Sequence, residues 1–199
     1  MNKTRLEAFS DGVIAILITI MVLELHAPHG GDWTALRAVL PSLLSYILSF
    51  VFLGIYWSNH HHMLQATKQI NGATLWANLH LLFWLSLIPF TTSWMADNHY
   101  DPLPTAVYGI VLFLCAIAYT ILLRTILAAQ PRMNARLAEA IGNDRKGKFS
   151  LVFYIAAIPL AFVHRYIADL LYVAVALIWL VPDSRIESHL SAVEREPAA

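Results

Sequence analysis

The chain has 199 residues and no net charge, with 58% hydrophobic and only 13% charged residues. Soluble domains run about 45–50% apolar and about 25% charged, so this composition excludes a disordered chain, a collagen-like fibre and an ordinary soluble enzyme. Zero net charge also excludes a nucleic-acid binder that works by bulk charge, which leaves a polytopic membrane protein.

A membrane-crossing helix needs about 20 mostly apolar residues, and six stretches approach that, at 5–25, 36–64, 75–95, 104–128, 149–163 and 166–182. The first is expected to be retained, because Asp11 interrupts what would be the apolar region of a signal peptide and no small-residue cleavage pattern follows Leu25. The second ends in Asn59-His60-His61-His62, and the third opens with Asn78 and His80. The fourth is the most uniformly apolar and carries the sole cysteine, Cys115. It has no internal disulfide partner and reads as an inert buried thiol. Between the fourth and fifth stretches lies the longest loop, 130–148, with a short amphipathic helix expected around 133–141. The last two stretches are short, and only His164-Arg165 separates them. They read either as two spans or as a tight hairpin that stops short of crossing. Residues 1–183 thus form one all-α domain of six transmembrane helices, and 184–199 a charged tail. No internal repeat is visible.

Charge sets the orientation. With six spans, the side holding both termini carries Lys3, Arg5, Lys68, Arg124, Arg132, Arg136, Arg145, Lys146, Lys148, Arg185 and Arg195, whereas the other carries Arg37 and Arg165. Both termini are therefore expected in the cytoplasm. The opposite side has short acidic loops, with Glu24, Asp32, Asp97, Asp101 and Asp169, and the interfacial aromatics Trp33, Trp94, Tyr100 and Tyr166.

Arg5-Leu6-Glu7-Ala8-Phe9-Ser10-Asp11-Gly12-Val13 opens the first span. An ionised side chain at mid-membrane costs about 2.5–3.5 kcal/mol on insertion scales, and somewhat less near the boundary, where Asp11 lies. One reading has Ser10 or Asp11 capping the helix. Residues 5–9 also look helical, however, so the alternative is that Asp11 meets partners on other helices. Ser10, Asp11, His61, Asn78 and His80 fall at one depth on three helices, and polar groups in lipid must be paired. Together with Arg5 they make a candidate network that pins the first span. The three consecutive histidines do not form one metal site, since neighbours on a helix point about 100° apart. No metal and no cofactor is expected.

The same motif, followed by an apolar helix and Leu23-Glu24-Leu25, resembles the single-repeat bacterial branch of the TMEM175 lysosomal potassium channel family, as do Trp57-Ser58-Asn59-His60-His61 and Pro89-Phe90-Thr91. The likeness implies a homotetrameric, potassium-permeable channel without a P-loop, in a bacterial cell membrane, with the first helix lining a central pore. It also implies that Arg5, Phe9, Ser10 and Asp11 act as interhelical anchors. The residues agree in what they lack: no Thr-Val-Gly-Tyr-Gly filter, no Arg-rich fourth span and no His-Glu-x-x-His pattern that would point to an enzyme. Gly12, Ile16, Thr19 and Leu23 share one stripe of the first helix at 100° per residue. Spacing alone fits plain packing as well as a pore. The resemblance assigns Ile16 to a constriction, Thr19 to a hydroxyl on the ion path and Leu23 to an outer ring, with permeating potassium nearby. The alternative is a proton- or cation-coupled transporter that uses Asp11 and the histidine cluster.

The charge bias generates a direct test. A reporter fused after Ala199 is expected to read cytoplasmic, and one inserted between Gly30 and Gly31 external. The reverse pattern would show that the spans are wrongly assigned.

Overall fold

The structure is a computed structural model that describes residues 2–65, 67, 70–129 and 145–180. The expected amphipathic helix at 133–141 and the tail at 184–199 lie outside these residues. Every element described is a helix: α1 (Lys3–Leu23), α2 (Trp33–Gln65), α3 (Gly72–Leu85), α4 (Ile88–Asp97), α5 (Pro102–Ala129), α6 (Arg145–Val163) and α7 (Arg165–Leu180). Five stretches are long and apolar enough to cross a membrane by length and composition, with α3 and α4 together forming one of them.

The elements begin and end for local reasons. The Asn2 side chain accepts from the Thr4 amide at 3.2 Å and caps α1. Asn71 caps α3 by accepting from both the amide and the hydroxyl of Thr74, at 2.8 and 2.9 Å. The third apolar stretch, expected as one span, is broken between Leu85 and Ile88. Pro89 explains the break, because it has no N–H to donate and its ring clashes with the carbonyl four residues back. At the far end of α4 the chain turns through positive φ at His99 and Tyr100, 49° and 61°. The Tyr100 phenol locks that turn to α2, donating to the Pro41 carbonyl at 2.7 Å and accepting from Ser45 at 3.1 Å. His164 alone separates α6 from α7. The 16 residues of α7 rise about 24 Å, against a hydrocarbon core of about 30 Å.

In the packing, α5 occupies the centre, against α3 and α6, and α6 pairs with α7. The long α2 lies along α4 and α1. Leu6, Ser10, Ile14, Leu17 and Met21 form the buried face of α1, spaced three or four residues apart as one stripe of a helix must be. Cys115 is buried in the core on α5.

A layer of hydroxyls crosses the bundle some way along α2 from its start. Ser49 shares hydrogen bonds with Thr92 at 2.7 Å and Tyr108 at 3.0 Å, and Tyr172 donates to the Thr105 carbonyl at 3.1 Å. Tyr172 approaches α5 so closely at Gly109 that a Cβ there would fall on its hydroxyl. The absence of a side chain at Gly109 therefore seats α7. Gly109→Ala is expected to destabilise by about 1–3 kcal/mol, the usual cost of overpacking, read as a fall in the thermal midpoint of the purified protein. Adding Tyr172→Phe should recover part of that loss. An unchanged midpoint in Gly109→Ala would refute the close approach.

Candidate functional site

The stripe singled out on α1 stands opposite the buried face. Ile16 is 59% exposed and Leu23 74%. Thr19 and Gly12 are exposed as well, and a Cβ added at Gly12 would meet nothing within 4 Å. Thr19 donates its hydroxyl proton to the Ala15 carbonyl at 2.9 Å, so its oxygen turns only lone pairs outward. An oxygen in that state suits a cation. Ile18 is half-buried and packs on the core.

The opposite face of α1 is held by a chain of hydrogen bonds with one consistent direction. Ser10 donates to the Leu6 carbonyl at 2.9 Å, so its oxygen is free to accept from the Asn78 amide nitrogen at 3.0 Å. That fixes the Asn78 carbonyl toward His60, whose Nε2 lies 2.7 Å away and must carry the proton. Ser10, His60 and Asn78 are all buried. Three helices are thereby joined through atoms that lipid does not reach.

A second, more exposed contact lies beside it. Asp11 accepts from the Trp57 indole N–H at 3.0 Å. The Trp57 ring is stacked with His61, centroids 6.0 Å apart and planes inclined 21°, and His61 meets His62 edge-on at 5.8 Å. At the helix ends Lys3 donates to the Gln65 carbonyl at 2.9 Å, tying the start of α1 to the end of α2.

The structure thus brings Ser10 and Asn78 together and places Asp11 beside them. His61 meets the layer through its stack on Trp57. His80 accepts from Trp84 at 2.9 Å on an exposed part of α3. Arg5 and Phe9 are exposed on α1, and the Arg5 side chain makes no hydrogen bond or ion pair with a described residue. Two residues were missed. His60, not His61, is the histidine of the buried chain, and Trp57 is the partner of Asp11. The signal for His60 was present: it falls four residues after Tyr56 and eight after Phe52, on the buried face of α2, while His61 points about 100° away. Among the described residues no three His, Cys, Asp or Glu side chains converge as a metal site would require.

Comparison with known proteins gives a consistent result. The sequence model of the family described as endosomal/lysosomal potassium channel TMEM175 matches residues 5–89. A potassium channel of Chryseobacterium sp. (strain P1-3) is 54% identical over 190 residues, covering 96% of this chain and 98% of that one. A potassium channel of Streptomyces collinus is 35% identical, covering 70% and 74%. The fold matches the crystal structure of a homolog of the lysosomal potassium-selective channel TMEM175 from Chamaesiphon minutus, with a TM-score of 0.77 and 25% identity over 91% of this chain and 97% of that one.

The two contacts on α1 predict different mutant behaviour. Asn78→Leu strands the His60 N–H inside the bundle and is expected to cost about 1–3 kcal/mol, seen as a lower thermal midpoint and poorer yield. Asp11→Ala and Trp57→Phe each remove the same bond, so the double variant should be no less stable than the worse single one. Altered ion preference in an intact Asp11→Ala protein would instead place Asp11 on an ion path.

Proposed function

The chain belongs to the TMEM175 family of potassium channels, and from that premise we propose that four copies enclose a potassium path lined by α1. Its activity is passive potassium transport across the membrane, a channel's and not an enzyme's. The observation that carries the pore assignment is the two-sidedness of α1. One face is bonded to α2 and α3 by the Ser10–Asn78–His60 chain, while the Gly12, Ile16, Thr19 and Leu23 face is uncovered in the single chain. An axis between copies gives that second face a role without opening a path inside one bundle.

Along such an axis Ile16 and Leu23 form two apolar rings about 10 Å apart, from a rise of about 1.5 Å per residue. A narrow apolar neck sheds water, and an ion entering it surrenders part of its shell. Potassium gives up water more readily than sodium, which favours its passage. Thr19 lies between the rings and offers the lone pairs described above. Gly12 widens the end nearer the N-terminus. The charge bias supports cytoplasmic termini, and the bacterial relatives support a place in a bacterial cell membrane. The alternative of a coupled transporter needs Asp11 and the histidines as a proton or cation relay. The bonds that Asp11 and His60 make between helices support an anchoring role in its place.

Flux measurements on purified protein in liposomes test this reading. Ile16→Asn keeps roughly the same bulk and lets the ring hold water, so potassium conductance should rise and discrimination against sodium fall. Leu23→Asn should act in the same direction but less, and Thr19→Val should change selectivity. Ile18→Asn, on a packed face, should impair folding without producing a leak. Unaltered current in an intact Ile16→Asn assembly would remove α1 from the pore.

A further inference from the structure

Buried hydroxyls in this bundle are mostly bonded within it, as at Ser49, Thr92, Tyr108 and Tyr172. Tyr56 on α2 and Tyr154 on α6 differ. They are 9% and 2% exposed, and neither hydroxyl bonds to any described residue. Both line one cavity of about 40 Å³, together with Asn59, Ala116, Ser150 and Trp179. Ser150 is satisfied there, donating to the Lys146 carbonyl at 2.8 Å and accepting from the Trp179 indole at 2.8 Å. Asn59 donates to the Ile55 carbonyl at 2.8 Å, and its own carbonyl oxygen has no partner among the described residues. Tyr119 and Thr120 line it too, and Thr120 gives its hydroxyl proton to the Ala116 carbonyl at 2.9 Å. The cavity therefore presents the Tyr56 and Tyr154 phenols as donors and the Asn59 carbonyl as acceptor, in walls that are for the rest largely aromatic and aliphatic.

Buried polar groups are almost always paired, and an unpaired one calls for an occupant. Among the described residues the lining carries no carboxylate, ammonium or guanidinium, so a charged ligand would lose its hydration without a counter-charge there. At about 10–15 Å³ per water, the space takes about three waters or one compact organic molecule. Water meets the donors but leaves the apolar walls wetted. An alcohol meets the same donors and covers those walls with its alkyl group.

We propose that this cavity between α2, α5, α6 and α7 is a binding site for a small neutral molecule of the short-chain alcohol class, with its oxygen against the Tyr56 and Tyr154 hydroxyls and its alkyl group against Ala116. Its hydroxyl proton has the Asn59 carbonyl as acceptor. Asn59 directly precedes His60, so an occupant sits one residue from the bond that anchors α1.

Saturation-transfer NMR with propan-2-ol, on the purified full-length protein in deuterated detergent, tests the site. Wild-type protein should transfer saturation to the alcohol methyls. Ala116→Leu, which fills the cavity with apolar atoms, should abolish the excess over a detergent blank. Tyr56→Phe combined with Tyr154→Phe keeps the shape and should weaken binding about three- to tenfold, the worth of about one neutral hydrogen bond. Equal transfer in wild type and folded Ala116→Leu would place the alcohol in the detergent, leave the cavity to water and overturn the proposal. Should Ala116→Leu fail to fold, the phenylalanine pair decides, and unchanged affinity in that folded variant overturns it equally.

Discussion

A helix in lipid gains little from apolar contact with its neighbours, because hydrocarbon chains are as apolar as leucine. What holds α1 in one orientation is therefore the Ser10–Asn78–His60 chain, reinforced by Lys3 at the end of α2. Each member is buried, and each has its donor or acceptor role dictated by the one before. Rotating α1 by one residue would turn Ser10 about 100° away and strand Asn78 where water cannot repair the loss. The arrangement of the opposite face depends on that constraint. Gly12, Ile16, Thr19 and Leu23 are presented together because the other side of the helix is not free to turn.

The same principle recurs along α2, which serves as the spine. It bears Ser45 and Ser49 in one polar layer and His60 in another. Ser49 and His60 are eleven residues apart in the sequence, or about 16 Å along the helix. The first layer ties α2 to α4, α5 and the turn at Tyr100. The second ties it to α3 and, through Asn78, to α1. Between and around these layers the contacts are apolar and aromatic, as with Tyr56 and Tyr119 at 6.2 Å and Tyr108 and Tyr172 at 5.5 Å. Polar bonds set the register, and close packing at Gly109 sets the separation of α5 and α7.

The sequence was most legible where composition and period speak directly. Uninterrupted apolar runs gave α1, α2 and α5 to within a few residues. The motif from Arg5 to Val13, with the later Trp57 and Pro89 stretches, pointed to the family. Legibility failed where one residue overrides a run or where a partner lies far along the chain. Pro89 splits an apolar stretch that hydropathy alone reads as continuous. The choice between His60 and His61 turns on a 100° step that composition does not register, and the Asp11–Trp57 bond joins residues 46 apart in sequence.

By itself, the sequence determined that this is an all-helical membrane protein of a channel family and that an aspartate in its first span required partners. Those conclusions rest on solvation: apolar length, charge asymmetry and the cost of a carboxylate in lipid act residue by residue and need no knowledge of neighbours. Only the tertiary structure decided which histidine faces inward, that Trp57 meets Asp11, where the third apolar stretch breaks into two helices and which buried tyrosines lack a partner among the described residues. Those outcomes depend on direction and distance between side chains on different helices. A linear pattern states which groups must be paired, and only the packed bundle states with what.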